Sequence, residues 1–269
     1  MIHTPKPTSR WPQIARLDAP APRRRVGTYE RVRPALDRAA AAVMLVAALP
    51  VIGVCWLAVR LSSPGPGFYT QTRSGRGGRD YTIVKLRTMR HDCEKVSGIQ
   101  WATKRDSRVT LVGKVLRTTH LDELPQLFNV LRGEMSLVGP RPERPEVIRA
   151  KGLCEHVPNY AARMDVLPGV TGLAQVQLPA DTDLDSVRAK VAYDLYSIRN
   201  RSFWLDVRIV VATAFKAAGL GPDALRKVFF LPSADAIAAD EPVAVLELRV
   251  SGKPAEPHET PRKRRLAAA

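Results

Sequence analysis

The sequence predicts an α+β domain attached to one apolar helix, and three observations support that expectation. Ala39–Val59 is a run of twenty-one residues without a charge, unmatched elsewhere in the chain. After it, short strand-like and helix-like segments are mixed, with no internal repeat. The chain has 42 Lys+Arg against 26 Asp+Glu, a formal charge of +16, and the excess gathers on both sides of the apolar run.

These numbers exclude several classes. With 269 residues and 45% hydrophobic content the chain can bury a core, which rules out a disordered or collagen-like polymer. Cys55, Cys93 and Cys154 have no paired spacing, so neither a secreted disulfide framework nor a zinc ribbon is expected. The charge calls for an anionic partner: nucleic acid, an anionic membrane surface or a phosphorylated substrate.

Residues 1–32 read as a basic, disordered extension. Residues 33–61 form the apolar helix, whose twenty-one uncharged residues would reach about 30 Å, the thickness of a bilayer's hydrocarbon core. Pro50 stands at its middle, where it removes a main-chain hydrogen bond and kinks the helix. Bases flank both ends (Arg31, Arg33 and Arg38 before, Arg60, Arg73 and Arg76 after), so the positive-inside tendency opposes a simple crossing. A helix that enters, breaks at Pro50 and returns to the same face reconciles both facts. Pro50 and Trp56 are its candidate membrane residues.

Residues 62–232 read as the folded domain. Phe68–Thr72 and Asp80–Leu86 are two strands around the loop Arg73–Arg79, a hairpin. Val109–Leu116 is a strand or a short helix. Pro125–Arg132 is a short helix with proline at its first turn and Gly133 at its end. Leu184–Arg199 and Ser202–Ala218 are amphipathic helices, the second stopped by Gly219. Residues 233–269 read as a low-complexity basic tail.

The densest chemistry lies in Arg117–Gln126, where Asp122 and Glu123 precede the Pro125 helix. Adjacent acids are commonly solvated caps, but here free helix amides and the bases Lys85, Arg87, Arg108, Arg117 and Arg141 surround them in sequence. Carboxylate and phosphate oxygens suit Mg²⁺, and a metal with arginines neutralises a diphosphate, so the set fits phosphoryl chemistry. In Gly139-Pro140-Arg141-Pro142 the prolines fix the backbone that aims Arg141. Pro168–Gln175 offers amides, Thr171 and Gln175 to a ligand, or serves only as a loop.

SPGPGFYTQ, VKLRTM, DSRVTLVGKVLRTTHLDELPQLFNVLRGEMSLVGPRPE and LPGVTGLAQV, in this order after an apolar segment, resemble the bacterial sugar transferases known as monotopic phosphoglycosyl transferases. The resemblance spans about residues 33–230. It implies a monotopic membrane protein with a re-entrant helix, a small cytosolic catalytic domain with amphipathic interfacial helices, and a place at the bacterial inner membrane. It implies transfer of a phosphosugar from a nucleotide diphosphate sugar, commonly a UDP-sugar, to a polyprenyl phosphate such as undecaprenyl phosphate, with release of UMP. This is the first membrane step of an exopolysaccharide, capsule or O-antigen type pathway.

By motif position the resemblance makes Asp122 the nucleophile that forms a covalent phosphosugar intermediate. Glu123 arranges metal and acceptor, and Asp122 and Glu123 together are the Mg²⁺ ligands. Lys85, Arg117 and Arg141 become phosphate-binding bases, joined by Arg87, Thr171 and Gln175 as substrate-binding candidates. One departure stands out. Many members follow GLAQV with Asn-Gly-Arg, whereas this chain has Gln177-Leu178-Pro179-Ala180, which leaves Arg188 as a substitute contact. His120 is given a structural or exposed role. The partners implied are the donor, the acceptor and a lipid bilayer; nucleic acid is not among them, and a dimer is compatible with the sequence. Phe203, Trp204, Val207 and Val210 beside Arg201 and Arg208 fit either a core helix or an interfacial one.

Overall fold

The computed structural model describes residues 27–91, 93 and 106–240. Most of the expected basic extension and tail lies outside these residues. Helix α1, Thr28–Ser62, has 35 residues, about 50 Å at 1.5 Å each. Pro34 and Pro50 both lie inside it, and the helix continues through both. The interruption expected at Pro50 is therefore absent. Ala48 and Ile52, on either side of Pro50, are both packed into the core, so tertiary contacts hold the turns across the lost main-chain bond.

Ala41, Leu45, Ala48, Ile52 and Val59 are the buried apolar residues of α1. Their spacing of four, three, four and seven puts them on one helix face. Ala41 to Ile52 join the main core with Leu127, Val130, Met135, Leu173 and Ile209; Val59 packs with Leu86 and Leu116. The opposite faces have no such cover. Val43, Val46 and Val54 are each more than 70% exposed, and α1 is long and apolar enough to cross a membrane. One helix thus has a stripe for the domain and a broad apolar surface left over.

Strands β1 (Phe68–Ser74) and β2 (Asp80–Leu86) form an antiparallel hairpin with Phe68 opposite Leu86 and Ser74 opposite Asp80. Arg73 and Ser74, expected in the loop, are paired strand residues. The ambiguous segment is a helix, α2 (Leu111–Thr119), because the Thr110 side chain accepts from the Gly113 amide and caps it. A 3-10 helix, Leu121–Gln126, runs into α3 (Leu127–Arg132), which ends on Gly133 at φ 76°.

Strand β3 (Ser136–Val138) pairs in parallel with β4 (Gly169–Thr171). Glycine is required in this pairing: a Cβ on Gly169 would stand 2.1 Å from the Gly139 nitrogen. Between them come α4 (Pro145–Ala150), α5 (Leu153–His156) and a further 3-10 helix, Tyr160–Asp165. The chain then forms α6 (Leu173–Gln177), α7 (Leu184–Arg199), α8 (Phe203–Ala217), α9 (Pro222–Val228) and α10 (Ala234–Ala239). Ser233 caps α10, and Ile237 is buried in the main core. The packed domain therefore passes the expected tail boundary at residue 233, because one apolar side chain docks a helix that composition alone reads as tail.

Candidate active site

Helix α2 ends where His120 takes a left-handed conformation, φ 56°. That reversal turns the chain into the 3-10 helix Leu121–Gln126 and presents Asp122 and Glu123 to a cavity of about 800 Å³. The cavity also receives Lys85 from β2, Arg117 from α2 and Arg141 from the turn after β3. Four separate segments therefore meet at the two acids. His120 lines the cavity, but its backbone is what the local geometry uses.

Glu123 is held by two cations. Lys85 Nζ donates to its Oε1 at 2.6 Å, and Arg141 Nη2 donates to the same oxygen at 2.9 Å. Arg141 Nη1 reaches Oε2 at 3.5 Å. Burial alone would raise the Glu123 pKa, but the charges of Arg141 and Lys85 and their hydrogen bonds hold it far below the usual carboxylate range. In return Glu123 raises the Arg141 pKa. The Lys85 ammonium is pulled down by burial, which outweighs the attraction of Glu123.

Asp122 is the opposite case. It is 8% exposed, and no side-chain hydrogen bond reaches it among the described residues. Burial first, and the Glu123 charge second, push its pKa up to about 6, against the opposing pull of Lys85, Arg117 and Arg141. A carboxylate with free lone pairs, mostly ionised at neutral pH and facing bases, is poised to meet an electrophile or a cation.

The other candidates separate into two groups. Gln175 belongs to the cavity: its Oε1 accepts from Arg141 Nη1 at 3.2 Å, while its buried Nε2 has no partner among the described residues. Arg117 keeps Nε on Thr88 Oγ1 at 2.9 Å and lines the cavity. Arg87 touches the cavity, but its guanidinium clamps the end of α1. It donates to Pro64 O at 2.6 Å, to Ser63 O at 2.7 Å and to Ser63 Oγ at 2.9 Å. Thr171 does not line the cavity; its hydroxyl pairs with Thr213 Oγ1 at 2.6 Å and ties β4 to α8.

Arg188 is also elsewhere. It donates to Asp185 Oδ1 at 2.7 Å and to His156 O at 3.1 Å, on an exposed face. What stands beside Pro179 and Ala180 in the cavity wall is Lys190, paired with Asp181 at 2.8 Å, together with Lys216, which donates to the Gln175 carbonyl. Lys190 and Lys216 escaped sequence reading because each is one base on an amphipathic helix. Trp56 packs on the turn after α1, where a Cβ on Gly67 would come within 2.4 Å of its ring, and Arg60 lies 5.9 Å from the ring centroid.

Residues 28–219 match the model of the bacterial sugar transferase family. The chain is 44% identical over 200 residues to the UDP-glucose:undecaprenyl-phosphate glucose-1-phosphate transferase of Caulobacter vibrioides, covering 74% of this chain and 73% of that one. It is 42% identical over 185 residues to the UDP-N-acetylgalactosamine-undecaprenyl-phosphate N-acetylgalactosaminephosphotransferase of Aeromonas hydrophila, covering 69% of this chain and 43% of the relative. It is also 42% identical over 193 residues to the Escherichia coli K12 UDP-glucose:undecaprenyl-phosphate glucose-1-phosphate transferase, over 71% and 41% of the two chains. The chain thus spans less than half the length of the latter two relatives. It belongs to the bacterial sugar transferase family of enzymes.

Proposed function

We propose that this chain transfers a sugar phosphate from a UDP-sugar to undecaprenyl phosphate at the inner face of a bacterial cytoplasmic membrane, as a starting step of glycan assembly. The observation that supports it is the asymmetry of the acidic pair. Glu123 is locked by Lys85 and Arg141, while Asp122 has open lone pairs and faces the same bases.

In the first step an Asp122 oxygen attacks the phosphorus next to the sugar. An O–P bond forms, the diphosphate bridge to the nucleoside phosphate breaks, and UMP leaves with that bond's electrons. In the second step a polyprenyl phosphate oxygen attacks the same phosphorus, and the Asp122 carboxylate departs. The attacking groups are weak nucleophiles and the donor is anionic, so charge neutralisation supplies most of the acceleration. Lys85, Arg117 and Arg141 are placed for that, and Gln175 Nε2 is placed to donate to a substrate oxygen.

A magnesium ion fits these residues in a limited way. Among the described residues no group of three or more His, Cys, Asp or Glu side chains gathers, so the ion would be held by Asp122, a Glu123 oxygen and substrate phosphates, the sparse ligation Mg²⁺ accepts. When bound it would supply further positive charge at the diphosphate.

The membrane relation follows from α1. Its uncovered apolar faces enter lipid and its flanking bases meet anionic headgroups. Phe203 and Trp204 of α8 and Phe230, all at least 46% exposed, rest at the interface. The test is UMP release from UDP-sugars offered with undecaprenyl phosphate to purified membranes. Asp122→Asn should abolish it while the protein remains folded; unchanged turnover would sink the mechanism.

A further inference from the structure

Behind the cavity, the main-chain turn that bears Arg141 is held by side chains from remote parts of the chain. Arg163 is a buried residue of the 3-10 helix Tyr160–Asp165. Its Nε donates to Asp194 Oδ2 of α7 at 2.8 Å and its Nη2 donates to the Arg141 carbonyl at 3.2 Å. Arg33 is a buried residue of α1. Its Nε donates to Asp206 Oδ2 of α8 at 2.7 Å, and its Nη2 donates to the Val138 carbonyl. Each guanidinium is thus split between a buried aspartate and a carbonyl of the same six-residue stretch.

Four further main-chain groups of that stretch are engaged as well. Gly169 N donates to Pro140 O at 2.9 Å and Ser74 N donates to Glu143 O at 2.9 Å. Arg73 Nη1 donates to Pro142 O at 3.0 Å, and Gly139 N donates to Thr171 O at 2.8 Å. Arg141 itself needs such support. Its side chain is 38% exposed where it meets Glu123, so its aim depends on Glu123, Gln175 and the backbone beneath it. A buried ion pair is weak as a stabiliser, since desolvation offsets most of the attraction. Its geometric role is the stronger explanation for two such pairs under one turn.

We infer that Arg163, with Asp194, and Arg33, with Asp206, are positioning residues for Arg141, and that α1 thereby contributes to the substrate site through Arg33 as well as to membrane attachment. The inference rests on the reading of Arg141 as a phosphate-binding base. Lysine at either position keeps the charge opposite the aspartate but has one ammonium in place of a fork, so it releases the carbonyl.

The experiment is a double-mutant cycle on the full chain in detergent, read as UDP affinity by calorimetry. Arg141→Ala should weaken UDP at least tenfold. Arg163→Lys should weaken it five- to tenfold when Arg141 is present and less than twofold in the Arg141→Ala background, with Arg33→Lys behaving the same way. A role in general stability would give equal factors in both backgrounds, which would overturn the inference, as would unchanged affinity in both lysine variants. Should Arg163→Lys fail to fold, Arg33→Lys decides alone. Undiminished UDP affinity in Arg141→Ala would instead remove the reading on which the inference rests.

Discussion

Arginine and carboxylate meet in two regions of this molecule, and the two are put together differently. Beneath the Gly139–Glu143 turn, Asp194 and Asp206 each have an arginine, at 2.8 and 2.7 Å. In the cavity wall, Glu123 takes two cations while its neighbour Asp122 takes no side-chain partner among the described residues. The buried pairs direct their hydrogen bonds to groups inside the protein, with Asp206 Oδ1 left over. The cavity withholds part of its hydrogen-bonding capacity, leaving the Asp122 carboxylate and Gln175 Nε2 for a ligand to meet. An unmet polar group in a folded protein costs stability, so its position marks where binding energy is recovered.

The largest expected effect tests the cavity side. Arg141→Ala removes a charge that holds Glu123 and that the proposed mechanism uses to neutralise substrate, and its loss should cost about 3–4 kcal/mol of barrier, a 10²–10³-fold fall in UMP release. It also predicts a pH effect. Asp122 must be ionised to attack, so kcat/KM of the parent should rise through about pH 6. Because Arg141 is one of the charges lowering the Asp122 pKa, the inflection should move to higher pH in the variant. An inflection that stays in place would show that the titrating group is not Asp122.

Asp122→Asn addresses the cost of leaving the carboxylate unmet. A carboxyl raised from 3.8 to about 6 on folding gives stability that is fully present below pH 4 and lost as pH rises through 6. At 1.36 kcal/mol per unit that loss is about 3 kcal/mol. The asparagine variant escapes it. Chemical unfolding should show the variant more stable than the parent at pH 7.5, and the gap should shrink toward pH 4.5. Equal stabilities at pH 7.5 would mean that the burial of Asp122 carries no electrostatic cost.

How much of this was legible in the sequence depends on whether a signal is local. The hairpin, the Gly133 stop, and helices Leu184–Arg199 and Phe203–Ala217 follow from turn residues, caps and helical spacing, and the fold has them within a residue or two. The gathering of Lys85, Arg117, Asp122, Glu123 and Arg141 followed from motifs. Pro50 misled because the packing of Ala48 and Ile52 overrides a local break. The site roles of Arg33, Arg163 and Lys216 were missed because their partners lie 22 to 173 residues away, and no local pattern encodes such distances.

Arg87 and Arg117 sharpen the comparison, since both are bases beside the cavity but only one is committed to the fold. Arg87→Ala strips donors from the Ser63 and Pro64 carbonyls and should cost about 2 kcal/mol of stability, with UDP affinity changed less than threefold. Arg117→Ala should do the reverse, weakening UDP about tenfold with the unfolding midpoint nearly fixed. If both variants behave alike, the division between cavity and clamp fails.

Thr171 gives the smallest and most discriminating effect. Thr213 Oγ1 donates to Ile209 O at 2.7 Å, so the proton of the Thr171–Thr213 bond belongs to Thr171. Valine keeps the shape of Thr171 and deletes that one donor, while Thr213 keeps its own bond. Thr171→Val should therefore lower stability by about 1 kcal/mol and leave UMP release within twofold, because the hydroxyl faces α8 and not the cavity. A tenfold loss of turnover in a folded Thr171→Val protein would place the hydroxyl on substrate, as the Pro168–Gln175 motif first suggested, and would require β4 to shift when ligand binds.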